Sequence, residues 1–336
     1  MITIKELAKE LNVSVSTVSK ALNDNPEISS ETTKRIKELA QLRNYKPNKS
    51  AVSLKSSKTK TIGVIVPDIL NQFFAKLLYG VESAASELGY NIIICISNES
   101  YEKEKQSLQL LANGTVDGFL LAVAEESQTL KKHNHFKKIM EEGYPIVMFD
   151  RVLDSIDCDK VIIDDVASTY TATQKLIEEG RKNILLINHI DALNVGNLRT
   201  QGYINALKDT DSYKNDPFVL SINRNQEAEA IIFETLQKHK SVDGIISVDN
   251  IAGIKSLNAV KALGLKIPDD ISIIAFASNE LVQLSSPRLS SITQHASKMG
   301  RKATELLVSK LENKPLERTF QTVTIDYELI FRETTK

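Results

Sequence analysis

The sequence predicts two parts: an N-terminal all-α helix-turn-helix headpiece, then an α/β domain of two lobes, each built on a parallel sheet. Three observations predict this. The first 45 residues carry helix caps and apolar residues at helical spacing. From Thr61 onward, short β-branched runs alternate with helical stretches, the pattern of parallel sheets covered on both faces. The chain has 336 residues, 42% of them hydrophobic, which exceeds one average domain and leaves room after position 60 for two such sheets.

Thr3 followed by Glu6 is a capping box, and Ile4, Leu7, Ala8 and Leu11 then recur at helical spacing, predicting a first helix of about two turns. Asn12 and Val13 interrupt it. Ser14 caps a second helix whose apolar side is Val15, Val18, Ala21 and Leu22. Asn23-Asp24-Asn25-Pro26 breaks the chain. Ser29 or Ser30 starts a third helix, in which Ile36, Leu39, Ala40 and Leu42 complete a small core. The exposed positions of the second helix, Ser16, Thr17, Ser19 and Lys20, are short polar or basic groups of the kind that reach base edges and phosphates in a major groove.

Residues 47–60 are polar and basic and read as a linker. The strands expected beyond it are TIGVIVP, YNIIICIS, VDGFLLAV, YPIVMFD, KVIIDD, KNILLINHI, VDGIISV and ISIIAFA, with helices between them. The expected division is 1–46 for the headpiece, 47–60 for the linker and 61–336 for the large domain. Its N-lobe takes about 61–160 and 293–321, its C-lobe about 161–292 and 322–336. Two lobes imply a cleft, with ligand-contacting residues in the loops that follow strands.

Lys plus Arg total 42 against 43 Asp plus Glu, a near balance that hides an asymmetry. Residues 1–60 hold 12 Lys/Arg against 6 Asp/Glu, whereas the other 276 hold 30 against 37, so the basic segment is the one with the helix-turn-helix pattern. Cys95 and Cys158 have neither metal nor disulfide spacing, which favours a reducing compartment. The N-terminus lacks the apolar core of a signal peptide and no apolar run approaches a membrane span, so a cytoplasmic protein with no membrane partner is expected. No phosphate-binding glycine loop or dinucleotide fingerprint follows any strand, and no cofactor is expected. His133 and His135, two apart in a Lys-rich segment, read as a solvated face. Nothing assembles a nucleophile, a base and an orienting group, which argues against an enzyme.

TIKELAKELNVSVSTVSKALND and ISSETTKRIKELAQLRNYKPN resemble the headpiece of the lactose/galactose repressor (LacI/GalR) family, and the resemblance runs to the end of the chain. TIGVIVPDILNQFFAKLLYGVESAASELGYN, VDGFLL, GLKIPDDISIIAF and LIFRETT resemble its later segments in order. The resemblance implies a cytoplasmic, homodimeric repressor of pseudo-palindromic operator DNA, with a periplasmic-binding-protein-like sensing domain. It implies base-edge contacts from Val15, Ser16 and Lys20, and phosphate contacts from Thr17, Ser19 and Asn23. It implies a hinge helix at about 48–56, with Asn48 as cap and Leu54 as minor-groove wedge. Here the family's Ala-Arg-Ser-Leu reads Ala51-Val52-Ser53-Leu54, leaving Lys55 and Lys49 to supply the charge. For the effector it implies Asp68, Asn71, Phe73, Phe74, Asp150, Arg151, Arg199, Asp249 and Asn250. The family's Asn-Asp pair is reversed at Asp249-Asn250, and its Gly-Phe-Asp-Asp is Ala275-Phe276-Ala277-Ser278-Asn279. A neutral or acidic sugar is the first expected effector, a purine or other metabolite the second. The alternative from another class is a ligand receptor without an operator. The absence of a heptad tail after Arg332 argues against a coiled-coil tetramer.

Overall fold

The computed structural model describes residues 2–45, 58–210, 216–223, 226–313 and 319–336. The chain divides into two compact units, Met1–Thr59 and Lys60–Lys336. Asn48, Lys49, Ala51, Val52, Leu54 and Lys55, which the family resemblance assigns to a hinge helix, lie outside the described residues.

In the first unit, α1 (Ile4–Leu11) starts on the capping box: Glu6 N donates to Thr3 Oγ1 at 3.3 Å and Thr3 N donates to Glu6 Oε2 at 2.7 Å. The bond from Thr3 N, joined by one that Thr3 Oγ1 donates to Glu6 Oε2 at 2.9 Å, holds the Glu6 carboxyl below its ordinary range. Asn12 ends the helix in the left-handed region, which Asn tolerates. Ser14 caps α2 (Val15–Leu22) by accepting from Thr17 N at 3.0 Å, and Ser29 caps α3 (Ser30–Leu42) by accepting from Thr32 N at 3.2 Å. Leu7, Ala8, Val18, Ala21, Ile36 and Ala40 form the buried core. Leu42 does not join it and is 76% exposed. Six residues beyond Ile36, a repeat of about 3.6 residues carries it off the buried stripe.

The second unit holds two six-stranded sheets. The first is built from β1 (Thr61–Val66), β2 (Asn91–Ile96), β3 (Gly118–Leu121), β4 (Ile146–Phe149), β5 (Asp159–Ile162) and, late in the chain, β11 (Thr322–Thr324). Its order is β11-β5-β4-β3-β1-β2, all parallel. The second contains β6 (Ile184–Asn188), β7 (Phe218–Ser221), β8 (Gly244–Ser247), β9 (Ser272–Phe276), β10 (Ser290–Thr293) and β12 (Glu328–Ile330), in the order β12-β10-β9-β8-β6-β7. Pairing there is parallel except for β10 with β12, which run antiparallel. Strands buried on both faces, such as GFLL of β3 and GIIS of β8, are the reason these runs are apolar rather than alternating.

The helices are α4 (Gln72–Glu87), α5 (Tyr101–Leu111), α6 (Glu125–Thr129), α7 (Asn134–Glu141), α8 (Asp165–Glu178), α9 (Asn194–Lys208), α10 (Ala228–Lys238), α11 (Asn250–Ala262), α12 (Asn279–Gln283) and α13 (Ala296–Asn313). Two glycines allow α4 and α13 to touch backbone to backbone. A Cβ on Gly80 would lie 2.1 Å from Ser297 O, and one on Gly300 would lie 2.2 Å from Leu77 O.

The lobe limits expected at 160/161 and 321/322 need correction. β5 continues to Ile162, and β11, placed in the C-lobe by that division, pairs with β5 in the first sheet. The last passage to the second sheet comes between Thr324 and Glu328, because Thr324 completes a parallel ladder opposite Ile162 before β12 pairs with β10. His135 also departs from its expected solvated face. It is buried, and Glu104, itself sealed from solvent, meets its Nε2 at 2.9 Å while accepting from Ala124 N at 2.7 Å. α7 turns that residue inward beside Phe136 and Ile139, while Lys137 and Lys138 face outward.

Candidate functional site

Ser16 and Lys20 on α2, and Asn23 as its C-cap, follow at four- and three-residue spacing and so share one exposed side, with Val15 beside them at 41% exposure. Thr17 and Ser19 are half-buried. Ser14 Oγ lies 2.7 Å from Ser16 Oγ and 2.8 Å from Thr17 Oγ1, which fixes those hydroxyls at the start of the helix. Asn23 Nδ2 donates to Ser19 O at 2.8 Å, and Lys20 pairs with Glu27. An exposed ion pair of this kind is weak, so a phosphate or a guanine edge can displace Glu27.

In the second unit, Asp68, Asn71, Phe73, Phe74, Asp150, Arg151, Arg199, Asp249 and Asn250 all line one cleft of about 630 Å³. They arrive from both sheets because the sheets reverse order at β1 and at β6, and the loops at the carboxyl ends of those strands and their neighbours open into one crevice. After β1, Asp68 Oδ1 accepts from Leu70 N at 2.8 Å, and Asn71 caps α4 by accepting from Phe73 N at 3.0 Å. Phe73 meets Phe74 edge-on at 5.2 Å; Phe74 is core and Phe73 half-buried.

After β4, Asp150 stands in the left-handed region at φ 56°, a conformation that for a non-glycine residue is held by its surroundings. Its Oδ1 accepts from Gln294 at 3.2 Å. Arg151 donates to both oxygens of Glu99 at 2.7 Å and lies over the Phe74 ring at 5.3 Å. From α9, Arg199 donates to Asp165 Oδ1 at 2.7 Å and to Val248 O at 2.6 Å, with its guanidinium 3.8 Å above the Phe276 ring. Burial pushes the Asp165 carboxyl up to about 6 against the opposing pull of Arg199, and burial raises Asp150 as well, against Arg199 and Arg151. Along and beneath the cleft, then, runs a largely buried network of carboxylates and arginines, flanked by aromatic faces. Such a surface bonds the edge of a polar ligand and covers its apolar face.

Across the mouth, Lys76 pairs with Glu280, and Ser278 Oγ donates to Gln72 Oε1. Farther along, Asn194 N donates to Gln128 Oε1 at 2.8 Å. Each contact joins one lobe to the other. Asp249 caps α11, with Oδ1 accepting from Ile251 N at 2.8 Å and Ala252 N at 2.9 Å, and Asn250 is the first residue of that helix.

Glu99, Asp165, His189, Phe276 and Gln294 belong to this surroundings yet were absent from the expected site. Four of them follow or end a strand, β2, β6, β9 or β10, and Asp165 opens the helix after β5. The rule that ligands sit at carboxyl ends of strands carried the signal. Among the described residues no group of three or more His, Cys, Asp or Glu could hold a metal ion, and no helix is long and apolar enough to cross a membrane.

Residues 3–48 match the family described as bacterial regulatory proteins, lacI family, and residues 59–330 match the periplasmic binding proteins and sugar binding domain of LacI family. The chain is 31% identical over 339 residues to the HTH-type transcriptional regulator RegA of Clostridium saccharobutylicum, covering 99% of each. It is 30% identical over 337 residues to the ribose operon repressor of Halalkalibacterium halodurans, covering 100% of this chain and 98% of the other. Its fold is similar to that of a lac repressor dimer bound to operator and an anti-inducer, with a TM-score of 0.86 at 18% identity over 99% of each chain, and to that of a transcriptional regulator CelR-cellobiose complex, with a TM-score of 0.72 at 24% identity over 99% of this chain and 100% of the other.

Proposed function

This chain belongs to the LacI family of bacterial regulatory proteins, and from that premise we propose a cytoplasmic homodimer that represses at a pseudo-palindromic operator under control of a sugar held between its lobes. As a member of that family it is a DNA-binding transcription regulator with a ligand-binding domain, and not an enzyme.

In the proposal α2 enters the major groove. Val15, Ser16 and Lys20 meet base edges, Thr17, Ser19 and Asn23 meet phosphates, and the hinge with Asn48, Ala51, Leu54 and Lys55 meets the minor groove. The hinges of two protomers meet at one central step, which requires a dimer. The nine cleft residues from Asp68 to Asn250 hold the effector. A ligand that prefers one pose of the lobes shifts operator affinity by that preference and no more.

One observation carries the reading: a capped helix with a short polar and basic outer face occurs in the same chain as a cleft where residues from both sheets converge. The test is selection of operator DNA from a random library by the purified full-length protein. Enrichment of a palindrome with a flexible central step supports the regulator. Recovery of no preferred sequence, together with tight sugar binding, would reassign the chain as a ligand receptor.

A further inference from the structure

His189 and Asp249 stand just beyond the carboxyl ends of β6 and β8, the adjacent strands at which the second sheet reverses its order. Both line the cleft. Asp249 Oδ1 is occupied by the two amides of α11, while its Oδ2 has no hydrogen-bond partner among the described residues, and neither has His189 Nε2. The other imidazole nitrogen, Nδ1, lies 3.8 Å from Asp249 Oδ2, beyond hydrogen-bond reach. His189 is 9% exposed and Asp249 half-buried, and the two unpartnered atoms themselves are sealed from solvent with bonding capacity left over.

We propose that His189 is a specificity-determining residue which, with Asp249, holds two adjacent hydroxyls of a neutral polyol. The proposal rests on the cleft being the effector site. The Asp249 carboxylate only accepts and so requires a donor, whereas the imidazole nitrogen donates or accepts according to tautomer. A hydroxyl does both. Neighbouring hydroxyls therefore satisfy the pair in either tautomer. An anionic ligand would bring acceptors and negative charge against Asp249, and three of the four lysines and arginines that line the cleft, Lys76, Arg151 and Arg199, already face Glu280, Glu99 and Asp165, which leaves Lys298 as the fourth.

The experiment uses the full-length protein. Ribose, xylulose, galactose, cellobiose and hypoxanthine are screened by ligand-induced thermal shift. The compound that binds is then titrated calorimetrically beside its singly deoxygenated analogues, on wild type, His189→Leu and His189→Gln. Wild type is expected to prefer the parent sugar over at least one deoxy analogue by about tenfold, which is about 1.4 kcal/mol. His189→Leu is expected to lose that preference, and His189→Gln, which keeps a polar nitrogen near Nε2, to restore part of it. A merely structural role would weaken parent and analogue alike and leave their ratio intact. An unchanged ratio in His189→Leu, or a wild type indifferent to every deoxygenation, would overturn the proposal while leaving the effector site standing. Binding of hypoxanthine alone would do the same. If no compound shifts wild type, the sugar-effector reading and the proposal fall together.

Discussion

Arg199 shows how much one side chain can hold in this cleft. It joins Asp165, the carbonyl of Val248 and the ring of Phe276, and it opposes the burial that pushes Asp165 up to about 6. A carboxyl whose folded pKa lies above its unfolded value binds its proton more tightly in the folded state. Its contribution therefore favours the fold increasingly as pH falls from about 6 toward the unfolded value of 3.8, and this gain is lost as pH rises through the window. Arg199→Leu would leave Asp165 and Asp150 without that cation, and breaking a buried pair costs about 3–5 kcal/mol near neutral pH. The expected deficit shrinks toward about pH 5, where Asp165, its pKa raised further, takes up a proton. Urea unfolding at both pH values checks this, and an equal deficit at both would contradict it. Arg199 was legible because its segment matches a motif. Asp165 and His189 were not, because a lone acid or imidazole says nothing until a strand end places it, and His135 faces inward because Glu104, about thirty residues away in sequence, receives it.

Capped helices and doubly buried strands were the readable elements. Thr3, Ser14 and Ser29 fixed three starts within a residue, since each cap is a local hydrogen bond. The expected strands omitted β7, β10, β11 and β12, which are only three or four residues long. Runs such as SSIT and TVT are too short and polar to carry a period, and long-range pairing makes them strands. The contact of α4 with α13 was equally hidden, because a glycine in a helix can mark several things. Gly80→Ala should destabilise the second unit by at least about 1–3 kcal/mol, since the new methyl meets a backbone carbonyl rather than a side chain able to turn away. Chemical unfolding of Gly80→Ala beside Ala75→Gly, a change at an exposed site of the same helix, separates the clash from helix propensity. A Gly80→Ala protein as stable as wild type would refute the close packing.

At the scale of the whole molecule, the basic excess of residues 1–60, the alternation after Thr61 and the ordered motifs made the two-part architecture readable. The points where the chain changes lobe were less so. β11 and β12 serve different sheets with only residues 325–327 between them, and nothing local to those residues announces the exchange. The architecture matters because a lobe-spanning ligand can couple to DNA only through its preference for one arrangement of the protein. The central claim, that this chain is an effector-controlled operator binder, is tested most directly by titrating a selected operator and a scrambled duplex with the full-length protein at one fixed salt concentration, with and without the cleft ligand. The account predicts a preference for the operator of about 10³-fold or more and a ligand-dependent shift of about fivefold or more in the operator affinity. Equal affinity for the two duplexes, or a saturated cleft that leaves operator affinity unchanged, would contradict it.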